Sequence, residues 1–193
     1  MTDIRQRFFI DASPVRGEVV HLQQSLDTIL AQRAYPPAIA ALLGEMLVGA
    51  ALLASTLKIR GRLSIQAQGQ ADLKWAMAEC SHDGEIRALA QWDERSTHWH
   101  TSQTSIEAMQ ALGEGVLFIN IEPEDGERYQ GIIGRDSDIL AECLTNYFDQ
   151  SVQIPTRIVL SCQQQQAGGL LIQLLPRRDE DEQAHVDQEL WPR

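Results

Sequence analysis

Regular alternation of apolar and polar residues is the clearest pattern in this chain, and it predicts half-exposed β-strands. Residues 63–68 read LSIQAQ, in which every second side chain is apolar, and that period places the apolar set on one face of a strand. Residues 73–80 and 85–92 flank the turn Asp83-Gly84. An Asp-Gly pair between two such runs is a strong hairpin signal. The latter two segments are therefore predicted to pair as a hairpin.

A second pattern is the nearly continuous apolar run at residues 37–57, PAIAALLGEMLVGAALLASTL, in which Glu45 is the only charged residue. Its length would suffice for a membrane span. A carboxylate in mid-segment is unfavourable in lipid, however, and the many Ala and Gly residues suit close packing by neighbouring elements. The run therefore favours a helix buried on several sides in a globular core, and such a helix needs covering layers on two faces.

The spacing of apolar residues and the positions of turn-forming residues indicate the remaining elements. Apolar residues spaced close to 3.6 positions apart predict amphipathic helices at residues 16–32 and from Asp136 or Ser137 to about Gln150. Also expected are an edge strand at 8–10, a short helix at 105–112, strands at 116–121 and 128–133, and a hairpin of 157–162 with 170–175 whose flexible connection contains Gly168 and Gly169. The expected fold class is α+β, with a long apolar central helix packed between β-sheet layers and with further amphipathic helices.

Charge and cysteine content narrow the class of protein. The net charge of −11 disfavours nucleic acids and anionic membranes as partners, because both attract clustered Lys and Arg. Three widely spaced cysteines and an N-terminus without a long apolar segment favour the reducing cytoplasm. Residues 177–193 are acidic and poor in apolar groups, so they are expected to form a solvated, mobile end.

One candidate for reactive chemistry is a zinc site made of Cys80, His82, His98 and His100. One residue separates the members of each pair, and on a strand that spacing puts both side chains on the same face. His82 lies in an expected turn and the other two histidines lie in a polar loop, so surface histidines and a partly buried thiol are favoured. A metal-dependent enzyme built on these four residues stays as an alternative.

Glu45 is the other unusual residue, because a lone charge in an apolar helix is destabilising unless it is paired. Arg16, Arg87 and Arg157 are the expected partners, in preference to a functional role. The sequence motifs of serine hydrolases with a nucleophile elbow and of zinc metalloproteases do not occur in the chain. This inventory favours a protein that binds without catalysing.

Several ordered motifs resemble a single family. GERYQGII at residues 126–133, NYFDQSVQIPTR at 146–157 and AGGLLIQLLP at 167–176 are similar to signature blocks of the bacterial thirty-three-kilodalton heat-shock protein, a redox-regulated chaperone with a zinc switch. VRGEVV at residues 15–20 also resembles that family. The likeness covers roughly residues 8–176.

The resemblance implies an ATP-independent holdase of the cytoplasm, which binds unfolding client proteins through exposed apolar surface and responds to heat and oxidative stress. In that family, four cysteines of a C-terminal module bind zinc while they are reduced. Their oxidation to two disulfides releases the metal and activates the chaperone, and dimerisation accompanies activation. No catalytic residue and no cofactor is expected in the present chain, and zinc is expected only in the full-length protein.

The zinc switch is where the chain departs from the family. Neither the C-x-C nor the C-x-x-C pair occurs, and Cys80, Cys143 and Cys162 match no switch position. We therefore expect residues 1–176 to be an N-terminal chaperone core that carries dimer contacts and client-binding surface. Residues 177–193 are expected to be the acidic start of an interdomain linker, and the zinc and disulfides are expected in a C-terminal domain that this chain lacks.

The surface expected to hold clients or a dimer partner is a sheet face that bears Leu63, Ile65, Trp75, Met77 and Trp92. Tryptophan is common where binding energy concentrates. The alternative for the same side chains is an ordinary core that faces the helix. Uncovered apolar surface invites self-association, so a homodimer is expected, with domain swapping as one form of it. A narrower alternative is a module that pairs with one partner along a sheet edge.

Overall fold

The structure is a computed structural model that describes residues 2–57 and 60–176. In chain order its strands are β1 (Ile4–Phe9), β2 (Val15–Leu22), β3 (Gly61–Gln68), β4 (Leu73–Ser81), β5 (Ile86–Trp92), β6 (Val116–Pro123), β7 (Tyr129–Ile133), β8 (Thr156–Gln163) and β9 (Gln166–Leu174). The helices are α1 (Gln24–Leu30), α2 (Pro37–Thr56), α3 (Ser105–Gln110) and α4 (Leu140–Tyr147), with a 3₁₀ turn at Thr97–His100 and a π-helical turn at Phe148–Val152. The tail expected at 177–193 lies outside the described residues.

Helix α2 is the centre of the core. It begins at Pro37, where a proline is tolerated because the first helical N–H groups have no partner inside the helix. Most of its residues are buried, and strands from both sheets pack against it. The helix is long and apolar enough for a membrane span, but its burial inside the domain is typical of a core helix. The prediction of a central helix between sheet layers is confirmed.

Two antiparallel sheets supply those layers. One has four strands in the order β1-β2-β9-β8, and the other has five in the order β5-β4-β3-β6-β7. The hairpins predicted around Asp83-Gly84 and between residues 157 and 175 are both present, as β4–β5 and β8–β9. The α+β class predicted from the sequence is therefore confirmed.

The helix predicted at residues 16–32 is wrong in its first half. Residues 15–22 form β2, which pairs with β1 on one side and β9 on the other. The valines there favour a strand, where β-branched side chains pack well, and two backbone ladders outweigh the apparent helical period. Helix α1 starts only at Gln24. The carboxylate of Asp3 stabilises this start, because it accepts hydrogen bonds from the backbone N–H groups of residues 23–25 at 2.8–3.0 Å.

The connection between β8 and β9 is shorter than the sequence suggested. Gln164 and Gln165 form a tight turn in which both residues have positive φ, 49° and 63°. Gly168 and Gly169 were expected in the loop but lie inside β9. A Cβ at Gly169 would lie 2.6 Å from Cγ1 of Val48 on α2, so the glycine lets the sheet approach the helix closely.

Candidate functional site

The outer face of the five-stranded sheet carries a row of side chains that is apolar on four of the five strands, with Gln66 on the central strand. Strand register places Leu89, Met77, Gln66, Phe118 and Ile132 side by side on β5, β4, β3, β6 and β7. Leu89 is 41% exposed and Ile132 is 69% exposed, while the two central apolar side chains are half-buried. Neighbouring side chains at this spacing contact each other across strands, so the row forms an apolar strip that Gln66 interrupts on the central strand.

A second row extends the strip toward one end of the sheet. Trp75 pairs across the strands with Gln68 and Gln91, and Gln68 pairs in turn with Val116. The indole Nε1 of Trp75 donates a hydrogen bond to Oε1 of Gln91 at 2.9 Å. This bond satisfies the polar edge of the indole and leaves its ring on the outer face. Apolar surface rimmed by polar groups in this way is typical of interaction sites.

A polar row borders the strip on its other side. Glu79 pairs with Arg87, whose Nε lies 2.9 Å from Oε1 of the carboxylate. Asn120 donates to the hydroxyl of Ser64 at 3.3 Å, and Gln130 donates to Oδ1 of Asn120 at 2.7 Å. The polar side chains of this row are therefore engaged with each other.

The outer face of the four-stranded sheet is also apolar. Val19, Leu170 and Val159 lie side by side on β2, β9 and β8, and Val159 is 61% exposed. The ring of Phe8 lies over Gly17, where an added Cβ would come within 2.0 Å of it. Gly17 thus lets the aromatic ring lie flat on this face. Both sheets therefore present apolar side chains to solvent on the side away from α2.

The five residues predicted for the binding surface divide between two faces. Leu63, Ile65 and Trp92 are buried against the core, so their expected accessibility is wrong and the alternative of ordinary core packing holds. Trp75 and Met77 lie on the outer face, half-buried. No observation tests whether any of the five contacts a client or a second copy.

The division has a physical cause on β4. Ala76, Ala78 and Cys80 point inward, because α2 lies close to this strand and leaves room only for small side chains. A β-bulge between Leu73 and Trp75 then shifts the register, so that Leu73 faces inward and Trp75 faces outward. The sequence prediction placed Trp75 and Met77 on the same face as Leu63, but strand register pairs them with Gln68 and Gln66 on the outer face, whereas Leu63 pairs with Cys80.

Three members of the apolar strip were missed in the sequence: the exposed Leu89 and Ile132, and the half-buried Phe118. A signal existed in β6, where Val116, Phe118 and Asn120 alternate with inward-facing residues. The segment reads VLFINI, and its apolar composition on both faces hides the period of two. Only the pairing with β4 and β7 shows which set lies outside.

The candidate zinc ligands do not form a cluster. Within residues 2–57 and 60–176, no group of three or more His, Cys, Asp or Glu side chains is arranged to hold a metal ion. His82 lies 3.1 Å from a carboxylate oxygen of Asp83, and the ring of His98 contacts the backbone carbonyl of Glu107 at 3.3 Å. Cys80 is buried on the inner face of β4. The proposed set is therefore contradicted by the geometry.

Glu45 lines a cleft of about 690 Å³ between α2, α3 and the β8–β9 hairpin. Its carboxylate accepts a hydrogen bond from the hydroxyl of Ser105 at 2.8 Å. Burial raises the pKa of Glu45, and the bond from Ser105 opposes that effect. The expected arginine partners are wrong: Arg16 bonds Gln173, Arg87 bonds Glu79, and Arg157 lies beside Asp149.

The three cysteines are free thiols. Burial raises the pKa of Cys80 and of Cys143, and burial together with the charge of Glu45 raises the pKa of Cys162 to about 11. A thiol reacts as its thiolate, so these environments suit structural cysteines and disfavour redox exchange. Among the described residues, the apolar sheet faces therefore remain as the candidate functional site.

Comparison with known proteins identifies the family to which this chain belongs. A family model described as Hsp33 protein matches residues 3–191, and this chain belongs to the Hsp33 family. The resemblance seen in the sequence motifs is therefore confirmed.

Relatives named as 33 kDa chaperonins agree with that assignment. The protein of Ectopseudomonas mendocina is 44% identical over 191 residues, which are 99% of this chain and 63% of the relative. That of Pseudoalteromonas atlantica is 39% identical over 178 residues, 90% of this chain and 58% of the relative. The chain thus spans about three fifths of the length of these curated relatives.

A solved structure shows the same fold. The crystal structure of a 33 kDa chaperonin (heat shock protein 33 homolog) from Thermotoga maritima aligns with a TM-score of 0.74 and 20% identity. The alignment covers 88% of this chain and 60% of that one. At this identity the likeness establishes the architecture alone.

Proposed function

We propose that this chain is the core of an ATP-independent holdase chaperone, which binds unfolding proteins on the outer faces of its two sheets. Membership of the Hsp33 family supports a chaperone role. The observation that carries the proposal is the apolar strip that includes Leu89, Met77, Phe118 and Ile132 on a sheet face that no other described element covers. Unfolding chains expose apolar side chains, and association with such a strip removes both surfaces from water.

The engaged polar row limits the recognition of any one particular client sequence. Because Glu79, Asn120 and Gln130 already have hydrogen-bonded partners, they offer few free groups for recognising one particular sequence. A surface of this kind binds by apolar contact and tolerates many clients. This property favours a holdase over a module that pairs with one partner along a sheet edge.

Regulation in the whole protein is a further part of the proposal. Relatives extend well beyond the region that this chain matches, and the family resemblance implies a zinc-binding cysteine module there. We propose that oxidation of that module activates the chaperone in the cytoplasm under stress, that the active form is a homodimer, and that no enzymatic step is involved. The buried thiols with raised pKa described above are consistent with a redox switch elsewhere.

The proposal is tested by measuring aggregation of several unrelated unfolding proteins in the presence of this chain under reducing conditions. Suppression of light scattering for most clients, without ATP, is the expected result. Protection of a single client would favour the sheet-edge module, and no protection at several-fold molar excess would contradict the proposal. Multi-angle light scattering at tens of micromolar tests the dimer, and a monomer alone would contradict that part.

A further inference from the structure

A second, smaller cavity lies at the C-terminal end of α2, on the inner side of both sheets. Its volume is about 200 Å³. Its wall is mostly apolar and includes Leu53, Leu63, Ile119, Phe148 and Val152, whereas Arg16 and Gln173 contribute polar groups. A mostly apolar cavity with a few fixed polar groups is the usual form of a small-molecule site.

The guanidinium of Arg16 is held in place by a buried chain of hydrogen bonds. Its Nη2 donates to Oε1 of Gln173, and Nε2 of Gln173 donates to the hydroxyl of Thr156 at 3.2 Å. That hydroxyl in turn donates to the carbonyl oxygen of Ile154 at 2.7 Å. Gln173 is 1% exposed and Thr156 is fully buried. This chain of bonds fixes the amide of Gln173 with its oxygen toward Arg16.

One donor of that guanidinium has no partner. Nε of Arg16 is buried and makes no hydrogen bond to any group in the described part of the chain. Buried donors are nearly always satisfied, and an unsatisfied one calls for a water molecule or a ligand. The unmet N–H of Arg16 therefore indicates an acceptor that the protein itself does not supply.

The local charge favours an anionic acceptor. Arg7 forms an ion pair with Glu18, the buried carboxylate two residues from Arg16 on β2. Arg16 is influenced by the charges of both Arg7 and Glu18, but the ion pair of Glu18 is with Arg7. Burial and the charge of Arg7 lower the pKa of Arg16, while Glu18 raises it.

The rim of the cavity is an irregular turn. Helix α4 continues into the π-helical turn Phe148–Val152, which ends at Gln153 with a φ of 56°. Such π-turns often occur at functional sites because they interrupt the regular helical hydrogen bonding. Phe148 is buried in the wall, whereas Val152 is partly exposed, so the entrance lies along this turn.

We propose that this cavity binds a small monocarboxylate with a short apolar tail. Its carboxylate accepts a hydrogen bond from Nε of Arg16, and its tail lies between Leu53, Ile119 and Phe148. The lining offers an unpartnered cationic donor and apolar side chains, and a charge-assisted bond to Arg adds orientation as well as affinity. This inference stands apart from the chaperone proposal, because the cavity lies inside the domain and the client surface lies outside it.

The test uses the chain as it is, titrated with hexanoate and followed by NMR chemical shifts. Saturable binding is expected, at least tenfold weaker for 1-hexanol, which lacks the charge, and for hexylammonium, which has the opposite charge. Arg16→Gln should weaken hexanoate binding at least tenfold. Because that change also disturbs β2, Val152→Trp serves as a second variant that blocks the entrance, with Val159→Trp on the outer sheet face as its control.

Each result of the hexanoate titration either supports or contradicts the proposed site. Loss of hexanoate binding in Val152→Trp with retention in Val159→Trp, and preference for the acid over the alcohol, would support the site. Equal binding of hexanoate and 1-hexanol would reduce the cavity to an unspecific apolar void. The absence of saturable binding at millimolar hexanoate would mean that water serves Nε of Arg16, and the proposal would fail while the client-binding surface stood unaffected.

Discussion

The carboxylate of Glu45 on α2 and the hydroxyl of Ser105 at the first turn of α3 are joined by a hydrogen bond of 2.8 Å. This bond gives the one charged residue of the central helix a neutral partner, and it ties α3 to the core. A neutral hydroxyl compensates a buried carboxylate less fully than a guanidinium does. The stability of the domain should therefore depend on the protonation of Glu45.

The first prediction concerns that dependence on pH. Burial raises the pKa of Glu45 above the ordinary value of a glutamate, so the folded state binds its proton more tightly than the unfolded state does. The free energy of unfolding should consequently fall as the pH rises from the pKa that Glu45 has in the unfolded state through its higher pKa in the folded state. Glu45→Gln should flatten this decrease, so that its stability relative to the native sequence is greater at pH 8 than at pH 4.5.

Urea denaturation at both pH values measures this effect. Glu114→Gln is the matched control, since Glu114 is exposed on a loop and carries the same change in charge. If both variants altered the pH profile equally, the effect would belong to net charge, and the assignment to Glu45 would be wrong.

The thiols should be slow to react in the folded protein. Burial raises the pKa of all three, with Cys162 at about 11, so the thiolate is scarce near neutral pH. We expect slow reaction with Ellman's reagent at pH 7.5 and rapid release of three equivalents in denaturant. Native labelling of Cys162 at the rate of a small free thiol would contradict this account of its surroundings.

The two faces of the five-stranded sheet should differ in stability. Ile65→Ala opens a cavity in the core and should lower the free energy of unfolding by about 2–5 kcal/mol. Ile132→Ala removes the same atoms from an exposed position and should change it by no more than about 0.5 kcal/mol. Chemical denaturation checks both values, and equal losses would show that the faces have been assigned incorrectly.

The β8–β9 turn offers a route to greater stability. Gln164 and Gln165 both have positive φ, a conformation that costs about 1 kcal/mol or more for a residue with a side chain. Replacing the pair by Asn-Gly, the preferred sequence for such a turn, should raise the melting temperature. Gln163→Asn, in the adjacent strand, is the control and should leave it unchanged or lower.

Much of the fold was predictable because its signals are local. The central helix, the Asp83-Gly84 hairpin and the antiparallel strands follow from composition and period alone. Segment 16–32 was misassigned because its pairing with β1 and β9 lies far away in sequence. The outward positions of Trp75 and Met77 depended on their register with Gln68 and Gln66 of β3, which the residues of β4 alone do not indicate. The arginine-lined cavity joins β2, β6, β9 and the π-helical turn, and no single segment indicates it.

The most direct test of the central claim compares pairs of lysine substitutions on each sheet face. Ile132→Lys and Gln130→Lys lie on the same face of β7, and Val159→Lys and Ser161→Lys lie on the same face of β8. Light scattering of an aggregating client would be measured with each variant after its fold is verified. The account predicts that lysine in the apolar rows weakens protection severalfold while the polar-site partners retain it. Equal protection by all four variants would show that clients bind elsewhere.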